Sequence, residues 1–251
     1  MGSKILTIIS GKGGVGKTTT AINLGVALNS FGKEVIIVDA NLTTPNVGLH
    51  LGAPMVPVTL NHVLIGKAKV ADALYEHSSG TKIMPSSLSV KELGRLNHKK
   101  LKDVGRSLRK MADYVIYDAA AGLGEEAVAS IESSDHLIIV TNPEITAVTD
   151  ALKTIKLAEE MGKDVKGVIV TRVKRSRSQM PIANIKEMLG VPLIGVVPED
   201  DAVPMALTMK DAVFHVSPNS KSARAYKKIA ADIAGIRYKT PSFIARFFGK
   251  S

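Results

Sequence analysis

The residues best suited to chemistry in this sequence form a glycine-rich stretch near its start. Residues 11–19 read GKGGVGKTT, which fits the pattern G-x-x-x-x-G-K-[ST] between an apolar run and a helical segment. Glycines let backbone N–H groups turn toward phosphate oxygens, and the start of the following helix adds partial positive charge. The stretch predicts a phosphate loop (P-loop). Its expected nucleotide-binding residues are Gly11, Lys12, Gly13, Gly14, Val15, Gly16, Lys17, Thr18 and Thr19.

The same pattern assigns roles to three side chains of the loop. Lys17 should reach the β- and γ-phosphates of a bound nucleotide, and the Thr18 hydroxyl should bind Mg²⁺. Thr19 is a further donor to the α-phosphate. We therefore expect a nucleotide with Mg²⁺ as the cofactors.

Two aspartates follow apolar runs that precede predicted loops. Asp39 ends the run VIIVD, and Asp118 ends the run YVIYD, in the Walker B position. A carboxylate there can hold Mg²⁺ through a water molecule, although an isolated aspartate could equally cap a loop. Because the two aspartates occur together with a phosphate loop, we predict a metal site formed by Thr18, Asp39 and Asp118.

Short apolar runs alternate with segments of helical period along the chain. Several runs are apolar at successive positions, which is typical of parallel strands covered on both faces. The strand candidates read KILTIIS, EVIIVDA, TKIMPS, DYVIYDA, HLIIVTN, VKGVIVTR and VPLIGVVPED. The helical candidates are residues 18–31, 99–111, 125–133, 147–161, 182–189 and 220–233. This alternation predicts an α/β fold with a doubly wound, mostly parallel sheet flanked by helices, whose ligands bind beyond the carboxyl ends of the strands.

Composition narrows the classes of function. The 251 residues include no cysteine, which excludes disulfides, thiolate metal sites and cysteine-ligated iron–sulfur clusters in this chain. The formal net charge of +10 favours an anionic partner, which could be nucleic acid, an anionic membrane or a nucleotide. The start of the sequence lacks a basic region followed by a cleavable apolar stretch, and no apolar run approaches the roughly 20 residues of a membrane span. We expect a cytoplasmic location.

A second lysine, Lys12, lies early in the phosphate loop and points to one particular class of P-loop proteins. The stretch KGGVGKT resembles the deviant Walker A motif of the MinD/ParA class of P-loop ATPases. In that class the early lysine reaches the phosphates bound by the partner subunit of an ATP-sandwich dimer. The resemblance implies ATP or ADP as the nucleotide, an ATP-dependent homodimer, and a role in trans for Lys12.

The similarity to MinD runs along the whole chain. It includes the stretches DANLTTPNVGLHLG, YDAAAGLGEEA, TNPEITAVTDALK, VTRV and GVVPED. By analogy, the loops that enclose the adenine carry Thr171, Arg172, Pro198, Glu199 and Asp200. The resemblance also implies a contact of Glu144 with the partner subunit's nucleotide.

One position departs from the family pattern. MinD and ParA proteins usually carry D-x-D after the second strand, and the second aspartate positions or activates the attacking water. This chain has Asn41 there. An amide can orient water but cannot accept a proton, so we expect slow ATP hydrolysis by a catalytic set of Lys12, Lys17, Asp39 and Asn41.

The last residues combine apolar and basic side chains. On a helix, with about 100° per residue, one continuous apolar arc is formed by Phe243, Ile244, Phe247 and Phe248. The cations that lie beside this arc are Arg246 and Lys250. This pattern predicts an interfacial amphipathic helix, similar to the one that ends MinD proteins. Docking of this segment on its own domain remains the alternative. We predict a P-loop ATPase domain at residues 1–236 and a membrane-targeting tail at residues 237–251.

The resemblance implies a MinD-like ATPase switch that acts in spatial regulation such as division-site placement. It would lie on the inner face of the cell membrane when ATP is bound, with an unidentified regulatory protein as a further partner. A ParA-like DNA-partitioning ATPase is the main alternative, because the basic block RVKRSR at residues 172–177 could bind DNA. A nucleotide-regulated scaffold with negligible hydrolysis is a third.

Overall fold

A single eight-stranded sheet organises the computed structural model, which describes residues 2–174 and 176–238. The strands are β1 (Lys4–Ser10), β2 (Val35–Ala40), β3 (Tyr75–Glu76), β4 (Lys82–Met84), β5 (Tyr114–Ala121), β6 (His136–Thr141), β7 (Asp164–Val173) and β8 (Leu193–Pro198). Their order is β3-β4-β2-β5-β1-β6-β7-β8, and every adjacent pair is parallel except β3 with β4. The predicted fold class is confirmed.

Helices connect the strands and cover the sheet. They are α1 (Lys17–Asn29), α2 (Val47–His50), α3 (Leu60–Leu64), α4 (Leu101–Leu108), α5 (Glu125–Glu132), α6 (Ile145–Glu160), α7 (Ile182–Leu189), α8 (Ala202–Thr208), α9 (Val213–Val216) and α10 (Lys221–Ala234). Three 3₁₀ segments occur in the described part of the chain, at Val70–Ala73, Val90–Arg95 and His98–Lys100. Within the described residues, no helix is both long and apolar enough to cross a lipid bilayer.

The continuous apolar runs form strands because both faces of the sheet are covered. Along β1, Leu6 and Ile8 pack into the cluster that contains the apolar side chains of α1 and α10. Ile5 points to the opposite side, into a cluster with α3 and α4, and Ile9 packs with α6 and α7. Alternate residues of one strand therefore belong to different cores, which requires apolar side chains at successive positions.

The sheet brings the two predicted carboxylates together at its carboxyl edge. Asp39 in β2 and Asp118 in β5 are directly paired in the parallel register of these neighbouring strands. Both side chains are completely buried. Strand order and register therefore create a pair of adjacent buried acids beneath the loops that follow the strands.

The end of the described chain is fixed by an aromatic cage. The ammonium of Lys227 in α10 lies 5.6 Å, 4.7 Å and 5.5 Å from the ring centroids of Phe31, Phe214 and Tyr238. Tyr238 also packs edge-to-face on Phe31, with ring centroids 5.9 Å apart. The chain thus remains packed for two residues beyond the predicted boundary at Ile236.

The predicted membrane-binding residues lie outside the described part of the chain. They are Phe243, Ile244, Arg246, Phe247, Phe248 and Lys250.

Candidate nucleotide-binding site

A cavity of about 590 Å³ opens at the carboxyl edge of the sheet, beside the predicted phosphate loop. This volume lies within the range of about 300 to 1,000 Å³ that is usual for small-molecule sites. The predicted nucleotide-binding and catalytic residues that line it are Gly13, Gly14, Gly16, Lys17, Thr18, Thr19, Asn41, Thr171, Arg172, Pro198, Glu199 and Asp200. Sequence reasoning missed Thr44, Asn46, His50, Ala121, Val197, Val203, Pro204, Leu207 and Tyr226.

The backbone of the phosphate loop requires glycine at three positions, for two different reasons. Gly14 and Gly16 have φ of 78° and 89°, in the left-handed region that glycine adopts without strain, and Gly16 immediately precedes α1. A Cβ atom at Gly11 would lie 2.2 Å from the Asp150 carbonyl oxygen, so the loop passes too close to α6 for any side chain there. Gly11 supports the loop from outside the cavity.

Thr171 ties the phosphate loop to the sheet. Its hydroxyl lies 2.6 Å from the Val15 carbonyl oxygen and 3.1 Å from that of Thr141. The Val15 side chain is buried, and its carbonyl oxygen accepts the Thr171 hydroxyl. Sequence reasoning expected Thr171 in the loops around the adenine and Val15 among the nucleotide-binding residues. In the structure this pair holds the shape of the loop.

We predict that Thr171→Val destabilises the protein by about 1 to 3 kcal/mol, because valine matches threonine in shape but leaves buried carbonyl oxygens without their donor. Urea unfolding monitored by circular dichroism measures this change. Thr149→Val is the matched control, since its hydroxyl bonds only to the preceding turn of α6 in an exposed position. Equal unfolding midpoints for the two variants would contradict this role of Thr171.

The predicted magnesium ligands Thr18 and Asp118 meet directly. The Thr18 hydroxyl donates to Asp118 Oδ2 at 2.5 Å, while the buried Oδ1 has no hydrogen-bond partner within the described residues. Burial raises the pKa of Asp118 above its ordinary value, against the opposing effects of Lys17 and the Thr18 hydrogen bond. An orphaned carboxylate oxygen beside a hydroxyl, close to a lysine, is a donor set that suits Mg²⁺ with its water shell.

Asp39 is more heavily engaged than its predicted metal role requires. Its two carboxylate oxygens accept backbone N–H groups from Asn46 and Val47, both at 2.8 Å, and from Asn41 at 3.3 Å. Burial and then the neighbouring Asp118 raise its pKa well above the ordinary value, although these hydrogen bonds oppose the shift. Asp39 therefore positions the loop after β2, mainly through Oδ2, while Oδ1 accepts only the longer bond from Asn41.

The amide of Asn41 is also committed to this loop. Its Nδ2 donates to the Thr44 carbonyl oxygen at 2.6 Å, and its Oδ1 accepts from the Thr44 hydroxyl at 3.1 Å. Asn41 lines the cavity and is almost completely buried. The side chain that was expected to orient water thus closes a tight turn, and a second Nδ2 hydrogen remains for a water molecule.

A carboxylate that sequence reasoning overlooked links two loops of the site. Glu126, near the start of α5, accepts the backbone N–H groups of Leu42 at 2.9 Å and Thr43 at 3.3 Å. It also accepts the Thr43 hydroxyl. Glu126 follows Asp118 by eight residues in the stretch YDAAAGLGEEA, which was the only signal for it. The loops after β2 and β5 are therefore held as one unit.

Part of the cavity wall is apolar. Val197, Val203, Leu207 and Tyr226 line this part together with Pro198. Tyr226 is fully buried and its hydroxyl lies 3.2 Å from that of Thr20 in α1. Burial raises the pKa of Tyr226 to about 12, so the phenol is neutral. An apolar slot with a few polar groups suits a flat heteroaromatic base.

The predicted adenine residues divide into two kinds. Arg172 is exposed, with a φ of 53° that is uncommon for a side-chain-bearing residue. Asp200 instead caps two helices, because its carboxylate accepts the N–H of Ala202 at 3.1 Å and that of Ser222 at 2.8 Å. Burial alone would raise the pKa of Asp200, but these hydrogen bonds outweigh it and lower the pKa. Asp200 thus lines the cavity and also fixes the starts of α8 and α10 beside it.

Lys12 lies outside the cavity, unlike Lys17. Its ammonium is 3.1 Å from Glu144 Oε2 and 3.3 Å from the Thr146 hydroxyl, and the two charged side chains are 41% and 56% exposed. In the same loop, Lys17 is buried and lines the cavity. The two lysines therefore face different surroundings, and the Lys12 ammonium is directed to the molecular surface.

Comparisons with known proteins agree with this architecture. Residues 6–212 match the family described as the CobQ/CobB/MinD/ParA nucleotide binding domain. The chain is 40% identical over 248 residues to an uncharacterized ATP-binding protein of Methanocaldococcus jannaschii, covering 96% of this chain and 94% of the relative. It is 32% identical over 244 residues to the septum site-determining protein MinD of Bacillus subtilis, covering 94% and 90% of the two chains.

A solved structure shows the same fold with ligands. The septum site-determining protein MinD of Pyrococcus horikoshii, complexed with Mg-ADP, superposes with a TM-score of 0.89 at 36% identity, covering 95% of this chain and all of that one. The predicted cofactors agree with the ligand of that protein. The chain belongs to the CobQ/CobB/MinD/ParA nucleotide-binding family, and it is a MinD-like member of that family.

Proposed function

We propose that this protein is an ATP-dependent switch that dimerises when ATP and Mg²⁺ bind and then attaches to the membrane through its C-terminal tail. The observation that carries this proposal is the contrast between the two lysines of the phosphate loop. Lys17 lines the cavity of its own chain, whereas Lys12 lies at the surface beside Glu144. A surface lysine next to the nucleotide pocket is available to the phosphates of a second copy.

Mg²⁺ and nucleotide would be held by the side chains already described. Thr18 and Asp118 would hold the metal directly or through water, and the bound metal would neutralise charge on the phosphates. Lys17 and the backbone of Gly13 to Thr19 would bind the phosphate oxygens. The apolar slot around Tyr226 would take the base.

Slow hydrolysis follows from the groups that surround the expected water. Asn41 offers one free N–H hydrogen and cannot accept a proton, because its amide is not basic. Asp39 accepts three backbone N–H groups, so its lone pairs are largely engaged. We propose that the chain hydrolyses ATP slowly and works chiefly as a timer of the dimeric state.

The tail gives the proposed switch its location. Burial of four large apolar side chains contributes about 1.5 to 3 kcal/mol each, while ordering some ten residues costs roughly 10 kcal/mol. Nearby cations add about 1 kcal/mol each on anionic lipid, so a single tail binds only weakly. Two tails in one dimer raise the avidity by a factor of about 10² or more. The protein would be cytoplasmic as a monomer and peripheral on the inner face of the membrane as an ATP dimer.

The biological output would be positional. Septum site-determining relatives suggest a part in placing the division site, with an unidentified regulatory protein as partner. DNA partitioning is the second candidate, because Lys174 and Arg177 are exposed in the loop after β7. That loop lies beside the cavity, where a nucleotide-dependent dimer could present it to DNA.

Co-sedimentation with anionic vesicles or with duplex DNA, each with ATP or ADP, tests the proposal. We expect ATP-dependent binding to vesicles, and Phe247→Asp should weaken it by at least about tenfold without loss of the ATP dimer. High salt should weaken the binding of the wild type to vesicles. ATP-dependent binding to DNA alone would favour partitioning. Unchanged vesicle binding in Phe247→Asp would show that the tail does not insert.

A further inference from the structure

The positive charge of this protein is concentrated on one flank. Residues 60–112 contain eleven Lys and Arg against four Asp and Glu, an excess of seven within a chain whose net charge is +10. Three of the eleven form ion pairs, namely Lys82, Arg106 and Arg109. The other eight are exposed and have no ion-pair partner within 4 Å among the described residues. We call this set the basic flank: Lys67, Lys69, Lys91, Arg95, Lys99, Lys100, Lys102 and Lys110.

Tertiary contacts join the segments that carry these cations. The Lys100 ammonium lies over the turn after α3, where a Cβ atom added to Gly66, next to Lys67, would be 3.7 Å from it. Glu92 lies 3.5 Å from the ring of His62 in α3, which holds the 3₁₀ segment Val90–Arg95 against the same helix. α4 follows directly and buries Leu101, Val104 and Leu108, so its remaining side chains face outward. The basic flank is therefore one surface built on a packed scaffold.

One cation of the basic flank, Lys102, repels Lys163, a lysine that lies next to the flank but outside it. The pKa of Lys163 is lowered by burial and, next, by the neighbouring Lys102. Repulsion of this kind weakens the free protein slightly and is relieved when an anionic surface binds.

Two features favour a lipid surface over nucleic acid as the anionic partner of the basic flank. Leu88 and Val90 lie directly before Lys91 and are 49% and 76% exposed, which places apolar side chains at the border of the cations. Acyl chains below a headgroup layer can accept such side chains, whereas a DNA backbone offers them no apolar contact. Residues 76–113 contain no Phe, Tyr or Trp, so this stretch has none of the aromatic side chains on which single-stranded bases stack.

The position of the tail supports the same choice. The Arg109 guanidinium donates to the Ser3 carbonyl oxygen at 3.1 Å, which places Lys110 at the amino edge of the sheet. The described chain ends at Tyr238, packed on Phe31 just past α1, and Phe31 precedes a turn in which Glu34 bonds to Asp113. The tail therefore starts from the edge of the sheet that the basic flank reaches.

We propose that the basic flank is a second membrane contact, which binds anionic lipid headgroups while the tail inserts. This inference rests on the proposed membrane switch. Stable attachment to membranes usually needs two signals, such as one inserted group plus a polybasic patch. The flank would supply the electrostatic signal and select bilayers that are rich in anionic lipid.

The test compares two triple variants of the full chain that change the net charge equally. Lys99, Lys100 and Lys102 are replaced by glutamate in the flank variant. Lys186, Lys221 and Lys228, which are also exposed and unpaired within the described residues, are replaced in the control variant. Flotation with ATP and Mg²⁺ uses vesicles of phosphatidylcholine with a minor share of phosphatidylglycerol. We expect the flank variant to bind at least about tenfold more weakly than the control, with the ATP dimer intact in both.

Other arms of the experiment separate the flank from the tail. In the Phe247→Asp background, weak binding to pure phosphatidylglycerol vesicles at low salt should persist and should disappear when the flank is also changed. Absence of this weak binding, or equal flotation of the two triple variants, would overturn the inference while leaving the tail proposal standing. Tighter binding of the wild type to duplex DNA than to vesicles, lost in the flank variant, would also overturn it and assign the flank to nucleic acid.

Discussion

Lys12→Ala is expected to weaken the ATP-dependent dimer at least about a hundredfold while nucleotide binding to each chain stays nearly normal. The Lys12 ammonium contacts only Glu144 and Thr146 within the described residues, and it does not line its own cavity. Removing it therefore leaves the pocket of that chain intact. In a sandwich dimer it would remove a cation from each of two phosphate sites, where charge-assisted hydrogen bonds are strong.

Size-exclusion chromatography with light scattering, in the presence of ATP and Mg²⁺, measures the dimer. A fluorescent nucleotide analogue measures binding to each chain. Lys17→Ala serves as the opposite case, because it should lose nucleotide binding itself. Lys153→Ala removes another exposed, ion-paired lysine and should change neither quantity. A normal dimer in Lys12→Ala would show that this lysine does not act in trans.

Asp118→Asn is expected to lower the contribution of Mg²⁺ to ATP affinity by about 10- to 100-fold, and to stabilise the nucleotide-free protein at alkaline pH. The first effect follows because the orphaned Oδ1 loses its charge at the position suited to the metal. The second follows because Asp118 is completely buried beside Asp39, whose pKa it helps to raise. Asparagine removes that buried charge.

The direction of the pH dependence follows from the raised pKa. Asp118 holds its proton more tightly in the folded chain than in the unfolded chain, whose reference value is 3.8. Ionisation therefore lowers the stability of the folded state, and this loss grows as pH rises from the unfolded pKa through the folded one. The Tm of Asp118→Asn should exceed that of the wild type at pH 8, and the difference should shrink as pH falls toward the unfolded pKa.

Thermal melting of both proteins without nucleotide, across this pH range, measures the stability effect. Titration of ATP with and without Mg²⁺ measures the affinity effect. Asp103→Asn is a suitable control, since that carboxylate is exposed and pairs with Arg106 on the surface of α4. Equal Mg²⁺ dependence in Asp118→Asn and the wild type would remove Asp118 from the metal site.

The main strands and the phosphate loop could be predicted because their signals are local. β1 reads KILTIIS and follows the predicted bounds, and α7 does so as well. β3 was missed because its two residues, the half-buried Tyr75 and the exposed Glu76, are too few to show a period and form a strand only by pairing with β4. A continuous apolar run indicates a strand that is buried on both faces. It does not indicate which short segment will pair at the edge of the sheet.

The parts of the site that escaped prediction depend on contacts between distant residues. α2 starts where the carboxylate of Asp39 accepts backbone N–H groups from Asn46 and Val47. Tyr226 reaches the cavity from a helix more than 200 residues after Thr20, which its hydroxyl contacts. Thr171 was placed near the nucleotide by resemblance, yet its hydroxyl bonds to carbonyl oxygens of the loop and of β6. Residue type indicated proximity but not the direction of the side chain.

The aromatic cage around Lys227 sets how the proposed dimer would stand on a bilayer. Only four residues, 239–242, separate the anchored Tyr238 from Phe243, so the distance between them is at most about 18 Å. If the proposed dimer binds a bilayer through Phe243 and the residues after it, a tether this short would hold the amino edge of the sheet close to the lipid and turn the opposite pole, with its cavity, toward the cell interior. Nucleotide could then exchange, and protein partners could approach, without competing with the membrane for the same side of the molecule.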